Sequence, residues 1–209
     1  MRERNKFFLG AGIMLAQFAV WTVLIRTVDV QTVGPMGTSV GLAAINMWFH
    51  RLTGVQMGLY ILTDWLGLVP VFTCLMFGAL GLVQWIRRKS IRKVDPDLLW
   101  LGGYYLLVAA VYLFFEMVPV NYRPLLMEGR LEVSYPSSTT LLVLSVMPTL
   151  RLQAGRRLKH AAAIRAAAIV FSGFMVTARL LSGVHWLSDI VGAILLSTGL
   201  FCMYRPVVV

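Results

Sequence analysis

The chain is organised around residues 179–189, which read RLLSGVHWLSD. This stretch lies between two apolar runs and contains a cation, an imidazole and a carboxylate, at Arg179, His185 and Asp189. Ionisable side chains are costly inside a membrane and usually mark functional sites there, although a polar cluster can also simply hold two helices together. The combination of these three groups favours a function in binding or transferring phosphate.

The spacing within this stretch predicts how the groups meet. A helix that begins at Val184 would place His185 and Asp189 four residues apart on one face, where the carboxylate orients and charge-stabilises the ring. Gly183 permits a tight reversal before that helix, and Ser182 is expected to cap it. The free N–H groups at the helix start would then face a bound anion.

The composition identifies a membrane protein. Of 209 residues, 58% are hydrophobic and 13% are charged, whereas soluble globular domains have about 45–50% and about 25%. The net charge of +10 could indicate nucleic-acid binding, but membrane proteins collect Lys and Arg in their cytoplasmic loops. We therefore predict an all-α integral membrane protein with the lipid bilayer around it and no nucleic-acid partner.

Apolar runs predict a bundle of six transmembrane helices in a single domain, residues 1–209. The expected spans are about 7–25, 65–86, 98–115, 139–150, 161–178 and 184–203. The fourth span is the shortest, and Pro148 is expected to bend it. The segment 26–56 is predicted to form an outer lid or wall, with a short amphipathic helix at 40–49.

The distribution of basic residues predicts the orientation. With the amino terminus inside, the inner segments carry 14 of the 19 Lys and Arg residues. The positive-inside rule then places both termini in the cytoplasm of a multi-pass plasma-membrane protein. The segments 26–56, 116–138 and 179–189 would all face the outside, so the polar chemistry gathers on one face.

Two further polar segments lie on that predicted outer side. They read NYRP at 121–124 and SYPSSTT at 134–140. The first adds Arg123, and the second predicts a helix start at which Ser137 caps the helix and, with Ser138, contacts phosphate. Two helix starts and two guanidinium groups would then converge, which suits the oxygens of a phosphoryl group in its transition state.

These three segments, in this order on a six-span chain, resemble the signature motifs of the type 2 phosphatidic acid phosphatase (PAP2) superfamily. The third motif matches closely, since Arg179 is followed after five residues by His185 and after three more by Asp189, with Gly183 between them. Ala178 replaces the serine that leads this motif in the family. The resemblance implies that His185 is a nucleophile forming a phosphohistidine, that Asp189 orients it, that Arg179 and Gly183 help bind phosphate, and that no metal or other cofactor takes part.

The first and second motifs depart from the family pattern. Arg123 and the proline after it match the end of the first motif, but Glu116 stands in place of the family's lysine. Ser137 and the proline before it match the second motif, whereas Ser138 and Thr139 replace its glycine and the histidine that protonates the leaving group. The chain could therefore be a catalytically silent relative that binds a lipid phosphate or a partner membrane protein. It could also be a lipid phosphotransferase, in which an alcohol replaces water.

The missing acid bears on the substrate. A general acid contributes about 10²–10⁴ in rate when an alkoxide must leave, and Thr139 cannot supply its proton. A lipid diphosphate instead releases a phosphate, whose second pKa is about 6 and which needs no donor. We therefore favour an isoprenoid diphosphate, such as undecaprenyl diphosphate, over a lipid monophosphate.

Two other residues are candidates for a replacement acid, His50 and Glu116. Alternatively, Glu116 forms a salt bridge with one of the two arginines and occupies the anion site. His160 lies among cytoplasmic basic residues and is not expected to take part in catalysis.

Overall fold

The chain folds into α-helices in the computed structural model, which describes residues 2–159 and 161–208. The helices are α1 (Arg2–Thr27), α2 (Ala43–Thr53), α3 (Met57–Leu66), α4 (Leu68–Arg88), α5 (Pro96–Met117), α6 (Ser138–Arg157), α7 (Ala161–Leu181) and α8 (Leu187–Val208). Within the described residues, extended pairing is limited to isolated bridges in loops. The predicted all-α class is confirmed.

The long helices have the length and composition of membrane spans. Within residues 2–159 and 161–208, five segments qualify, namely Glu3–Thr27, Met57–Arg88, Pro96–Met117, Ala161–Leu181 and Leu187–Val208. Each is at least 21 residues long, and about 20 apolar residues cross the hydrocarbon core of a bilayer. The chain is a multi-pass membrane protein.

The second span starts earlier than its predicted bound at residue 65. Helices α3 and α4 continue into one another across Gly67, which keeps helical backbone angles (φ −59°, ψ −17°). The Gly67 N–H donates to the carbonyl oxygen of Thr63 at 2.9 Å, so the helical hydrogen bonding continues across Gly67. The charge of Asp64 obscured this continuity in the sequence.

The fourth predicted span, 139–150, is a 20-residue helix, α6, that runs through the interior of the bundle. Its polar residues are buried against other helices, among them Ser145, Thr149 and Gln153. The Thr149 hydroxyl hydrogen-bonds the Tyr105 hydroxyl at 2.7 Å. Because these groups pack against protein rather than lipid, α6 extends seven residues beyond the apolar run that predicted it.

Helix α8 lies at the centre of the bundle and packs closely against α1. Small residues make this approach possible, since a Cβ at Gly199 would lie 2.7 Å from Leu15 of α1. A Cβ at Gly192 would lie 2.4 Å from the ring of Tyr135, which stacks in turn on Phe18 of α1 at 6.0 Å. Small residues commonly allow membrane helices to pack at short distances. They fix the position of α8, and therefore of the segment that precedes it.

The predicted outer segment 26–56 forms a wall against that end of α8. The helix expected at 40–49 is found as α2, three to four residues later in the chain. Asn46 on α2 is fully buried, and its side chain donates to the Ser188 hydroxyl and accepts from the Ser188 N–H. Farther along, the Gln56 N–H donates to the Ser182 carbonyl oxygen at 2.9 Å. The wall is thus hydrogen-bonded to both ends of the loop between α7 and α8.

Candidate active site

The loop between α7 and α8 carries His185 and depends on one close backbone contact. Gly183 adopts φ +69°, and a Cβ at this position would lie 1.9 Å from the carbonyl oxygen of Gly54. The Ser182 hydroxyl donates to the carbonyl oxygen of Arg179 at the end of α7, so the prediction that it caps the next helix is wrong. The loop is held from both sides.

His185 and Asp189 are brought together, but not on one face of a helix. Helix α8 begins at Leu187 rather than Val184, so His185 lies in the loop before it. Its Nδ1 is 3.8 Å from Asp189 Oδ2, beyond hydrogen-bond distance. The Ser134 hydroxyl bridges the two groups, because its Oγ is 3.0 Å from His185 Nδ1 and donates to Asp189 Oδ2.

The Asp189 carboxylate is fully buried and accepts several hydrogen bonds. In addition to Ser134, the Trp186 N–H donates to it at 2.9 Å, and the Asn121 amide donates at 3.4 Å. The carboxylate also lies in the first turn of α8, where a negative charge is stabilised by the helix dipole. These contacts hold the carboxylate beside the imidazole.

The His185 ring is buried and neutral. Burial lowers its pKa to about 4, and the positive charges of Arg123 and Arg179 act in the same direction. The ring is 3% exposed, and its Nε2 has no hydrogen-bond partner in the described part of the chain. A neutral imidazole with a free nitrogen is the form that attacks an electrophile.

Arg179 is held by α3, and its positive charge is close enough to act on the pKa of His185. Its Nη1 donates to the Thr63 hydroxyl at 3.1 Å, and its guanidinium lies 4.7 Å from the centre of the Tyr60 ring. Its Nη2 is 3.9 Å from the Asp64 carboxylate. The Nε is buried and finds no acceptor among residues 2–159 and 161–208.

Arg123 approaches the same aromatic ring, with its guanidinium 5.8 Å from the Tyr60 centroid. Its Nε is 3.0 Å from Glu132 Oε2 but is not aligned with it for a hydrogen bond. The Nη1 is also buried without an acceptor in the described chain. Arg123 and Arg179 therefore approach the same aromatic ring, and both positive charges act on His185.

The start of α6 contributes through its backbone more than through its side chains. Ser137 precedes α6, but its side chain makes no capping hydrogen bond and instead donates to the Thr140 hydroxyl at 3.1 Å. The Ser137 N–H donates to the Asp189 carbonyl oxygen at 3.2 Å. Ser138 lines the small pocket that contains His185, whereas Thr139 does not. The predicted side-chain cap is wrong.

Of the two candidate acids, Glu116 is better placed. It lines the same small pocket as His185, together with Ser134 and Ser138. His50 lies on α2 against Trp186, with ring centres 5.6 Å apart, and does not line that pocket. Burial lowers the pKa of His50, which makes it a weaker proton store at neutral pH.

The alternative in which Glu116 blocks the anion site is wrong. Among the described residues, Arg123 pairs with Glu132 and Arg179 with Asp64, and neither pairs with Glu116. His160 lies outside the described residues. Among the residues that the structure does describe, no group of three or more His, Cys, Asp or Glu side chains is placed to hold a metal ion.

Sequence reasoning missed the contribution of α3. Tyr60, Thr63 and Asp64 contact Arg179 from more than 110 positions away in the sequence. Asp64 was the available signal, because it is a single charge within an otherwise apolar run. Ser134 also went unassigned, although it belongs to a segment that the sequence singled out.

The fold and site together define a multi-pass helical membrane protein with a buried histidine, a linked carboxylate and two arginines. Residues 114–208, which contain all three motifs, match the model of the PAP2 superfamily. This match confirms the resemblance to the PAP2 superfamily that the three motifs predict.

Among solved structures, the fold is similar to the crystal structure of the first transmembrane PAP2 type phosphatidylglycerolphosphate phosphatase from Bacillus subtilis. The two chains are 18% identical, the match covers 93% of this chain and 94% of the other, and the TM-score is 0.61. The likeness therefore reaches beyond the matched family segment to α1–α4. No curated protein sequence matches the chain.

Proposed function

We propose that this protein is a membrane lipid phosphatase that acts through a phosphohistidine at His185. One observation carries the proposal, namely a set of buried nitrogens that lack hydrogen-bond partners in the described chain: His185 Nε2, Arg179 Nε and Arg123 Nη1. Buried polar groups are nearly always hydrogen-bonded, so such a set calls for a ligand. A phosphoryl group would supply acceptor oxygens to the arginines and an electrophilic phosphorus to the imidazole.

A second observation favours a lipid over a soluble phosphate ester. A cavity of about 450 Å³ lies between α4, α5 and α6 and is lined largely by apolar side chains such as Val71 and Leu142. Tyr112, Ser138 and Leu141 line both this cavity and the small pocket that contains His185. A substrate with its phosphate at His185 would lay a hydrocarbon chain in the cavity.

The transfer balances without a protein acid when the substrate is a lipid diphosphate. The His185 Nε2 lone pair attacks the terminal phosphorus, and the bridging P–O bond breaks, with its electron pair leaving on the lipid monophosphate. Water then attacks the phosphohistidine, the P–N bond electrons return to the imidazole, and orthophosphate leaves as H2PO4⁻. A monophosphate ester would instead release an alkoxide, which requires a proton donor.

Because a diphosphate can be cleaved without a proton donor from the protein, we favour an isoprenoid diphosphate, such as undecaprenyl diphosphate, as the substrate. Phosphatidylglycerolphosphate is a monoester candidate suggested by the structural neighbour. Its cleavage would need an acid, and Glu116 is the candidate because it lines the His185 pocket. The diphosphate needs neither Glu116 nor the histidine that Thr139 replaces.

The orientation belongs to the same proposal. The basic residues concentrate at the cytoplasmic ends of the predicted spans, which supports cytoplasmic termini and a site on the extracytoplasmic side of the plasma membrane. A substrate would then reach the site from the outer leaflet. A reporter enzyme fused after the carboxyl terminus should be active only if that terminus is cytoplasmic.

The test is phosphate release by the purified protein in detergent micelles. The substrates are a polyprenyl diphosphate, a polyprenyl monophosphate, phosphatidic acid and phosphatidylglycerolphosphate, each compared with His185→Ala. We expect release chiefly from the diphosphate and its loss in the variant. Equal background release by both proteins on all four substrates would refute the phosphatase and favour the silent relative.

Two further results would change the details. Efficient cleavage of a monophosphate would show that an acid operates, and Glu116→Gln and His50→Gln would identify which. A phosphorylated alcohol formed in place of orthophosphate, when glycerol is added, would indicate a phosphotransferase.

A further inference from the structure

The Ser134 hydroxyl lies between the imidazole and the carboxylate. We infer that Ser134 is a positioning residue that carries the influence of Asp189 to His185, an inference that rests on the proposed function. Asp189 Oδ2 is 3.8 Å from His185 Nδ1, whereas Ser134 Oγ is 3.0 Å from Nδ1 and hydrogen-bonded to Oδ2. Direct contact between the two, which the spacing of the motif predicts, is replaced by a three-membered chain.

The directions of these hydrogen bonds follow from the groups involved. An ionised carboxylate only accepts, so the Ser134 O–H proton must point to Asp189. The Ser134 oxygen then has only lone pairs to offer His185, and His185 Nδ1 must carry the ring proton and donate it. The neutral ring has one proton, so Nε2 is left with its lone pair free. Ser134 thereby selects the nucleophilic tautomer.

The Ser134 hydroxyl is held firmly enough to do this. The residue is 2% exposed, and its N–H donates to the Asn121 carbonyl oxygen at 2.9 Å. The next residue, Tyr135, has its ring packed against Gly192 of α8 and its hydroxyl 2.7 Å from that of Thr22 on α1. Ser134 therefore stays in place relative to the helix that carries Asp189.

The same chain of hydrogen bonds operates during transfer. When Nε2 attacks phosphorus, the imidazole becomes a cation that keeps its proton on Nδ1. That proton stays donated to the Ser134 oxygen, and the Ser134 proton stays donated to Asp189, so no proton needs to move. The hydrogen bond from Nδ1 to the Ser134 oxygen strengthens as the ring gains positive charge, and it polarises the Ser134 O–H that donates to Asp189. The chain therefore stabilises the intermediate more than the resting ring.

The tautomer can be measured without any turnover. The sequence contains three histidines, so ¹⁵N-histidine labelling gives three imidazoles, and the His185 signals are identified by their loss in His185→Asn. We expect Nδ1–H in the wild-type protein at pH 7 and a mixture of both tautomers in Ser134→Ala. An unchanged Nδ1–H tautomer in a folded Ser134→Ala protein would overturn the inference, whether or not the protein proves to be a phosphatase.

Kinetics provide the second readout, and Ser134→Thr tests whether a hydroxyl alone suffices. We expect kcat of Ser134→Ala to fall about 10–100-fold, by analogy with residues that orient the histidine ligands of metal ions, with KM changed less than twofold. Ser134→Thr should recover most of the loss. Equal kcat for the alanine variant and wild type would also overturn the inference.

The matched control is Ser197→Ala. Ser197 is fully buried on α8. Within the part of the chain that the structure describes, its hydroxyl donates only inside that helix, to the carbonyl oxygens of Ala193 and Ile194. The Ser197→Ala variant should leave the His185 tautomer and kcat unchanged. Equal losses in both serine variants would show a general effect of cavities rather than positioning.

Discussion

Replacing Gly183 by alanine tests whether the His185 loop is fixed by its contact with Gly54. The alanine would have to adopt φ +69°, which costs a non-glycine residue about 1–2 kcal/mol. Its Cβ would lie 1.9 Å from the Gly54 carbonyl oxygen, so the two backbones must separate by more than 1 Å. That separation strains the hydrogen bond from Gln56 N–H to Ser182 O, worth about 1 kcal/mol.

The sum is about 2–3 kcal/mol of stability, which corresponds to a fall of about 4–12 °C in Tm for a protein of this size. The activity should fall further, because a displacement of 1 Å in a reacting group can cost about 10²-fold in rate. Thermal unfolding in detergent and phosphate release under saturating substrate measure the two effects.

Gly173→Ala is the control, since Gly173 lies within α7 with no atom within 4 Å of a Cβ and no positive φ. It should be neutral or slightly stabilising. A Gly183→Ala protein with the Tm and kcat of wild type would contradict the reasoning, because the loop would then not depend on the contact.

Two other predictions concern protonation. The pKa of about 4 for His185 predicts that kcat/KM stays level as pH falls from 7 to 5 and declines only near pH 4, and a decline centred at the ordinary value of 6.5 would contradict it. The same depressed pKa means that the unfolded chain binds a proton more readily, so stability should fall as pH drops below 6.5 towards 4, which unfolding curves at several pH values would show. Thr139→His, combined with Glu116→Lys, restores the family residues and should broaden the substrates to monophosphates. An unchanged substrate profile would show that these two positions do not decide the leaving group.

The third motif is the easiest part of the candidate site to find in the sequence, because its residues are close together in the chain. Arg179, His185 and Asp189 span 11 positions, so their meeting depends mainly on local backbone geometry and on Gly183. The outline of the helices follows for a similar reason, because a lipid environment demands about 20 apolar residues at a time. These features need no knowledge of distant partners.

The start of α8 shows why local reasoning fails in detail. The sequence points to Ser182 as the cap, yet the N–H of Ser188 is satisfied by Asn46, which lies 142 positions earlier. The Trp186 N–H is satisfied by the side chain of Asp189 in the first turn. A cap supplied by another part of the chain cannot be recognised from neighbouring residues, so the sequence predicts the helix start three residues too early.

The residues that position Arg179 are also too distant in the sequence to be recognised from its neighbours. Arg179 is an expected phosphate ligand, but nothing near it in the sequence indicates that Thr63 and Tyr60 set its position. Only the packing of α3 against α7 brings them together. Tertiary contacts of this kind also decide that Ser134, and not a direct contact, joins Asp189 to His185.

The polar interior helix α6 has a consequence for how the protein is made. It is not among the five described segments that are apolar enough to cross a membrane unaided, and its buried Ser145, Thr149 and Gln153 need protein neighbours. Two of those neighbours, α7 and α8, are synthesised after it. We therefore expect α6 to enter the bilayer together with the helices that cover it, rather than strictly in its turn along the chain. A nascent chain that ends after α6 would leave that helix outside the hydrocarbon core.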